Sequence, residues 1–359
     1  MQFSTFHLYS LPPWQTDAEV VQGELEQAIW AEELGFAEVW VAEHSGRVYG
    51  ILGSSQLAMA AIAASTKRIR IGSAVTRTPL QHPIHLAEDL AYVDLISNGR
   101  VDWGIGKGYD RLEFANYGVP FEEREQRWQE GIEIVLRAWT EGRLAVDGKH
   151  YHVPEMELFP KPLQKPHPPT YLMVSRSDSS IEEAARRLWP VVLGQGPDWD
   201  DTRHKMQLYR ATALEAGHPL DAVELALSRC AQLKQMHVAP TTQQAQDEYK
   251  QGLMWYFETA ANRAMFGFRR EPQPYEYYLH HRNVMLGSPD ELSATIAEFR
   301  EYTGVQNIVC WFNCGGQPRD QVRRSMELFA SDVMPRFAEH ALPAEVTGYP
   351  VNFDLSNQL

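Results

Sequence analysis

The chain has 359 residues, 44% of them hydrophobic and 22% charged, and a formal net charge of −14. That size suits two medium domains or one large α/β barrel with insertions, and the negative charge argues against nucleic acid or an anionic membrane as the main partner. No apolar run is long enough to predict a membrane-spanning helix, the N-terminus has no signal-peptide pattern, and three cysteines without metal-like spacing favour a reduced, cytoplasmic protein.

Short apolar runs alternate with amphipathic helices along the chain. The first part is predicted as strand 3–10, helix 17–34, strand 37–42, helix 54–65, strand 68–76, helix 83–97, strand 100–106 and helix 122–140. After a proline-rich stretch come strand 170–175, helix 179–188, strand 190–194, helix 199–216, a strand within 223–238, a helix opening 241–283, helix 289–302, strand 306–312 and helix 318–335.

This alternation requires a parallel sheet with right-handed crossovers, and eight strand–helix units favour a closed (β/α)8 TIM barrel. An open doubly wound sheet is the alternative, although no G-x-G-x-x-G turn follows a strand. We predict one barrel domain over residues 1–340, with insertions at about 141–169 and 239–283 and a C-terminal tail at 341–359. The aromatic-rich run 255–281 either packs as a surface excursion or covers the barrel mouth as a lid over an apolar substrate.

The second strand ends in a carboxylate and an imidazole, Glu43 and His44. Such barrels keep their catalytic groups at the carboxyl ends of the strands, and histidine suits proton transfer near neutral pH. The alternative is a loop histidine with structural hydrogen bonds only. Glu43 either orients His44 or caps a neighbouring element, because successive strand residues point to opposite sides. We predict His44 as the catalytic residue.

Hydroxyl and basic side chains follow the fifth strand in the run Ser175-Arg-Ser-Asp-Ser-Ser180, before a helix expected near Ile181. Together with free helix N–H groups they predict a phosphate site. Ordinary capping by Ser179 or Ser180 is the alternative.

Lys107, after the fourth strand, could supply a second charge to the same phosphate. The neighbouring glycines at 104, 106 and 108 allow a flat ligand to approach the backbone closely. The sequence contains no HExxH, GxSxG or P-loop motif and no paired cysteines, so metalloprotease, α/β-hydrolase and nucleotide-hydrolase interpretations lack support and no metal site is predicted.

With these residues placed, the chain resembles the bacterial luciferase-like flavin monooxygenase family over about residues 1–340, and within it the luciferase α subunit. The resemblance rests on four ordered segments, LGFAEVWVAEH, RIRIGSAVTRTPLQHPIHLAEDLAYVDLISNGRVDWGIGKGY, VSRSDSSIEEAA and SMELFASDVMP. It implies the barrel fold, and reduced FMN supplied by a separate flavin reductase, with O2 forming a flavin C4a-hydroperoxide that oxygenates a small apolar substrate.

The resemblance also assigns roles to residues. His44 matches the essential active-site histidine of the family, and Lys107 stands where a basic residue contacts the FMN phosphate. Ser177 and Ser180 match hydroxyls of the phosphate site, with Ser175 and Arg176 beside them. Relatives have a non-proline cis peptide beneath the flavin ring at the positions of Ala74 and Val75.

Three residues depart from the luciferase pattern. Ser45 stands in place of a second histidine, Gly106 in place of a cysteine beside the flavin, and Arg176 in place of a glutamate. We therefore expect a monooxygenase that emits no light. Hydroxylation, Baeyer–Villiger insertion and epoxidation all stay open, as do a deazaflavin-dependent oxidoreductase and a non-catalytic flavin-binding subunit. A homodimer is expected because relatives often dimerise.

Overall fold

The computed structural model describes residues 1–261, 273–280 and 282–340. Its strands are β1 Gln2–His7, β2 Glu38–Val41, β3 Arg70–Ser73, β4 Thr76–Arg77, β5 Val101–Gly106, β6 Leu144–Asp147, β7 His152–Met156, β8 Thr170–Val174, β9 Val191–Leu193, β10 Ala231–Val238, β11 Val284–Gly287 and β12 Asn307–Trp311. Its α-helices are α1 Asp17–Glu33, α2 Ser55–Ser65, α3 Pro83–Ser97, α4 Arg111–Asn116, α5 Arg124–Thr140, α6 Asp178–Arg186, α7 Trp199–Glu215, α8 Leu220–Arg229, α9 Thr242–Ala261, α10 Tyr275–Tyr278, α11 Pro289–Thr303 and α12 Arg319–Leu328.

The sheet is a closed parallel barrel. Its strands follow one another around the ring in the order β1, β2, β3, β5, β8, β9, β10 and β12, and β12 pairs with β1. The predicted (β/α)8 barrel is therefore confirmed, and the open doubly wound alternative is wrong because the edge strands of an open sheet stay unpaired.

A compact apolar layer fills the inside of the barrel. Trp40, Tyr171, Val192, Ala231 and Val309 are buried together there. The ring of Trp40 lies over β3, and a Cβ atom on its register partner Gly72 would come within 2.3 Å of that ring. Glycine at this position therefore makes room for the largest side chain of the barrel interior.

Some local elements differ from the sequence predictions. The predicted strand 68–76 ends at Ser73, and the chain rejoins the sheet as β4 beside β5. The segment 223–238 holds the end of α8 before β10, and β11 adds a strand to the carboxyl half of β10. The stretch 141–169 contains the antiparallel hairpin β6–β7. No helix among the described residues has the length and apolar character to cross a membrane.

Candidate active site at the carboxyl end of the barrel

Glu43 and His44 lie just after the end of β2, and their adjacent side chains enter different surroundings. Glu43 is 1% exposed and accepts hydrogen bonds from the N–H and hydroxyl of Ser55 at 3.0 and 2.7 Å. Arg77 donates from Nε to the same carboxylate at 2.9 Å. Glu43 thus caps the first turn of α2 and neutralises a buried arginine, rather than bonding to His44.

His44 lies at the barrel mouth with its side chain 13% exposed. Its Nδ1 atom is 2.9 Å from Oε1 of Glu113 and 2.9 Å from the hydroxyl of Tyr49. Its Nε2 atom makes no hydrogen bond to any of the described residues. One ring nitrogen is therefore fixed by the protein while the other is left for a ligand.

The short helix α4 brings Glu113 to His44. Asp110 caps this helix by accepting from the N–H of Leu112 at 3.0 Å, and it also receives two hydrogen bonds from Arg47 at 2.6 and 2.7 Å. Arg47 belongs to the loop that follows His44, so the bidentate pair fixes this loop against α4. Sequence reasoning missed Glu113, whose only local signal is a carboxylate one turn after a capping aspartate.

The backbone of Gly50 packs closely against the imidazole of His44. A Cβ atom at this position would lie 3.0 Å from Cδ2 of His44 and 3.1 Å from the carbonyl oxygen of Leu8. The backbone can pass this close to the ring only because residue 50 has no side chain.

The charged groups behind His44 form a chain. The guanidinium of Arg77 lies between the two carboxylates, with Nε 2.9 Å from Glu43 and Nη1 3.3 Å from Glu113. Burial raises the pKa of Glu113. This effect is outweighed by the hydrogen bond and charge of His44, the charge of Arg77 and the N–H of Ser45, so the pKa of Glu113 lies below its usual value. Glu113 is therefore a carboxylate at neutral pH.

Two other histidines at strand ends also bond to carboxylates, but their settings differ. His7 uses both ring nitrogens, on Glu24 at 2.8 Å and on Thr5 at 2.9 Å, and is buried. His237 is buried against Glu248 at 2.8 Å. His44 alone of these three remains partly exposed at the mouth, which agrees with its selection from the sequence.

The serine-rich loop follows β8 and Lys107 follows β5, and these two strands are neighbours in the barrel. Ser177 is the N-cap residue and α6 begins at Asp178, earlier than the predicted start near Ile181. Ser180 therefore lies in the first helical turn, and Ser175, Arg176 and Ser177 are exposed ahead of it. The hydroxyls of Ser177 and Ser179 are 2.7 Å apart.

Lys107 makes a contact that the sequence did not predict. Its Nζ atom is 2.6 Å from Oε1 of Glu125 on α5 and 4.7 Å from the ring centre of Trp128. The carboxylate compensates the lysine charge, so a phosphate at the loop would compete with Glu125 for this cation.

Ala74 and Val75 stand between β3 and β4, and the peptide bond that joins them is cis. This geometry agrees with what the resemblance implies for these positions. Gly106, the last residue of β5, lies next to them, and a Cβ atom there would come within 2.8 Å of Cγ1 of Val75. The participation of these three residues in cofactor binding stays a prediction.

Helix α9 covers one side of the mouth with apolar side chains. Its buried residues Tyr249, Leu253 and Tyr256 form one cluster with Leu8, Ala42, Tyr49 and Trp311 of the barrel end. The hydroxyl of Tyr256 accepts from Nε2 of Gln195 at 2.8 Å. The predicted lid also includes residues 262–272 and His281, which lie outside the described residues.

The donor set at the serine-rich loop fits the phosphate of a flavin nucleotide. Hydroxyls at 175, 177 and 180, the free N–H groups at the start of α6 and the cations Arg176 and Lys107 are all groups that bind a phosphate. His44 and this loop lie at the same end of the barrel, since both follow the carboxyl ends of strands.

The fold and the site together define a (β/α)8 barrel with a histidine–carboxylate contact at the carboxyl end of its strands, where such barrels keep their catalytic groups. The family described as luciferase-like monooxygenase matches residues 1–307 of the chain. The protein therefore belongs to the luciferase-like monooxygenase family.

Individual relatives are similar over nearly the whole chain. The alkanal monooxygenase α chain of the Kryptophanaron alfredi symbiont is 26% identical, across 94% of this chain and 99% of that protein. The oxygenase component of the flavin-dependent trigonelline monooxygenase of Acinetobacter baylyi is also 26% identical, across 94% and 96%.

Solved structures extend the likeness to three dimensions. The monooxygenase RslO1 from Streptomyces bottropensis superposes with a TM-score of 0.82 at 27% identity, covering 94% of this chain and all 100% of that one. An alcohol dehydrogenase that depends on the deazaflavin coenzyme F420 shares the fold, with a TM-score of 0.69 at 18% identity over 93% and 98%.

Proposed function

We propose that the protein is the oxygenase component of a two-component monooxygenase that uses reduced FMN and O2 to oxygenate an apolar organic substrate. The observation that carries the proposal is the partly exposed imidazole of His44, fixed through Nδ1 and without a hydrogen bond at Nε2 within the described residues. The trigonelline monooxygenase relative, an oxygenase component, supports the two-component arrangement.

Residues of the loop after β8 would hold the FMN phosphate. Ser175, Ser177 and Ser180 offer hydroxyls, and Arg176 and Lys107 offer positive charge. Ala74, Val75 and Gly106 would lie along the flavin ring. When bound in its reduced form, FMN supplies the electrons that activate O2.

His44 then exchanges a proton with the bound reactants through Nε2. Glu113 holds Nδ1 and fixes the orientation of the ring, as a carboxylate partner does for a catalytic histidine. The cluster of Tyr49, Tyr256 and Trp311 keeps the mouth apolar and limits the access of water to reactive oxygen species.

The proposal is tested by supplying reduced FMN from a flavin reductase and following oxygenated products of candidate substrates by mass spectrometry. We expect products that require both O2 and reduced FMN, formed without light. Hydroxylation, Baeyer–Villiger insertion and epoxidation all add one oxygen atom and give the same mass change, so NMR of the isolated product distinguishes them. The variant His44→Ala should lose about two orders of magnitude or more in turnover while retaining FMN. An unchanged turnover would refute the role of His44.

A deazaflavin-dependent oxidoreductase is the second candidate, favoured by the shared fold of the alcohol dehydrogenase. Reconstitution with each cofactor separates the two, because a reduced deazaflavin transfers hydride and does not activate O2. Stoichiometric flavin retention without turnover under any of these conditions would identify a flavin-binding subunit instead.

The proposal includes a homodimer. Apolar side chains on one face of α3 (Tyr92, Leu95 and Ile96) and Leu57 on α2 are exposed. We expect the mass of a dimer in sedimentation velocity, and a monomer would contradict this part of the proposal.

A further inference from the structure

Arg77 is a buried cation next to the His44–Glu113 pair, and the proposed acid–base role of His44 does not by itself explain it. It is 2% exposed, comes from β4, and joins two carboxylates that belong to different elements. Its Nη2 atom donates to the carbonyl oxygen of Gly53 at 3.2 Å, and its guanidinium lies 5.4 Å from the ring centre of Tyr117. A buried cation is held here by several contacts at once.

The Glu113–His44 contact has two ways to carry an added proton. In one, His44 is an imidazolium and Glu113 a carboxylate. In the other, Glu113 is protonated and donates to Nδ1 of a neutral ring, whose remaining proton is on Nε2. Both arrangements contain the same number of protons, so nearby charges decide between them.

Titratable and charged groups from several elements surround Glu113. The loop after β2 contributes His44, Tyr49 and Arg47, β4 contributes Arg77, and the ends of α4 contribute Asp110 and Tyr117. Arg47 is compensated by its bidentate pair with Asp110. Arg77 remains the cation that contacts Glu113 directly, while its own second partner Glu43 is occupied by Ser55 and Gln81.

We propose that Arg77 is a positioning residue that keeps the proton on His44 rather than on Glu113, so that His44 reaches the reactants as an imidazolium with Nε2–H available. The inference rests on the proposed proton-transfer function of His44 and assigns a reason for the buried Glu43–Arg77 pair. Glu43 holds Arg77 in place, and Arg77 holds Glu113 ionised. His44 therefore takes part in the site directly, and Glu43 acts on it indirectly through Arg77 and Glu113.

The first test uses the flavin-free protein with 15N-labelled histidine and follows the His44 ring as the pH is lowered from about 8 to about 5. The His44 signals are assigned by their loss in His44→Gln. We expect the wild type to take up its proton as an imidazolium with both nitrogens protonated. In Arg77→Met we expect a neutral ring with Nδ1 unprotonated over part of this range, and Arg77→Lys should return toward the wild-type pattern.

Two further variants separate positioning from folding. Arg77→Met combined with Glu43→Gln removes the buried unpaired carboxylate, and should fold while keeping the altered ring signature. Arg70→Met is the matched control at the opposite end of the barrel, where Arg70 pairs with Asp102 at 2.7 Å. It should lower stability and leave the His44 signals unchanged.

The second test is the pH dependence of kcat/KM with reduced FMN and a turned-over substrate. Loss of the cation raises the pKa of Glu113, so the acidic limb should move upward by about one pH unit in both Arg77→Met proteins. An imidazolium signature and an acidic limb identical to wild type in both proteins would overturn the inference. Because the ring signals need no flavin, failure of the proposed function appears separately, as absence of oxygenation by the wild type.

Discussion

Glu43 and His44 follow each other in the chain, and their side chains take part in different hydrogen-bond networks. The sequence could predict that His44 lies at the mouth, because its position follows from strand order, but it left open whether Glu43 orients His44 or caps a neighbouring element. It could not predict Glu113, which is 69 residues away from His44. That pairing depends on the short helix α4 and on the Arg47–Asp110 contact that holds it.

Lys107 and Glu125 provide a test of cofactor binding at the level of single residues. Replacing the lysine in Lys107→Met should weaken FMN binding about tenfold, because one charge-assisted contact to the phosphate is lost. Glu125→Gln should strengthen FMN binding, because it removes the carboxylate that now pairs with this lysine at 2.6 Å. Affinities are measured by fluorescence quenching with oxidised FMN.

Riboflavin is the control for this pair of variants, since it lacks the phosphate. Its affinity should change by less than about twofold in either variant. Equal effects on FMN and riboflavin would mean that Lys107 acts on the flavin ring or on the fold, and not on the phosphate.

At the level of elements, the sequence predicted the long and periodic ones well. Helices α1, α3 and α7 were predicted within one residue of their ends, since a capping signal or an apolar period marks each of them. No strand was predicted at β11, whose four residues directly follow the aromatic-rich stretch 241–283. No pattern in the residues themselves indicated that the third strand ends at Ser73.

Helix α9 depends on the mouth cluster, and its packing can be measured. Leu253 is fully buried in that cluster, so Leu253→Ala should lower the free energy of unfolding by about 2–4 kcal/mol. Leu220→Ala on α8 removes the same atoms from a side chain that is 58% exposed, and should cost less than about 0.5 kcal/mol. Urea unfolding of both variants gives the comparison, and a similar loss in both would show that α9 is only loosely packed.

The two ends of the barrel carry different kinds of residues. The carboxyl ends of the strands hold His44, the serine-rich loop and the apolar cluster. The amino ends hold a structural polar cluster in which Glu38 accepts hydrogen bonds from Ser4 at 2.9 Å and from Nε1 of Trp40 at 2.7 Å. Barrels of this type keep stability at one end and catalysis at the other. The order of the strands was predictable from alternation, while these buried polar partners depend on barrel closure.

Glu38 gives the fold a pH dependence that can be predicted with its sign. Burial raises the pKa of this carboxyl to about 6, with a further contribution from the charge of Asp102. Below the ordinary pKa of a glutamate the carboxyl is protonated in both the folded and the unfolded chain, so its titration does not change the free energy of unfolding there. As the pH rises toward 6, the folded chain retains a proton that the unfolded chain has released, and stability falls.

Above pH 6 the ionised carboxylate of Glu38 should lower the free energy of unfolding by about 1–2 kcal/mol, after allowance for solvent screening at this partly exposed side chain. Glu38→Gln removes it, because the amide oxygen can accept from both Ser4 and Trp40, which already share one carboxylate oxygen. We expect Glu38→Gln to raise the free energy of unfolding by this amount near pH 8 and by much less near pH 4.5. Asp147→Asn, at a carboxylate 98% exposed, should change stability little at either pH. A gain of equal size at both pH values would place the effect in packing, because only a titrating carboxyl makes the difference depend on pH.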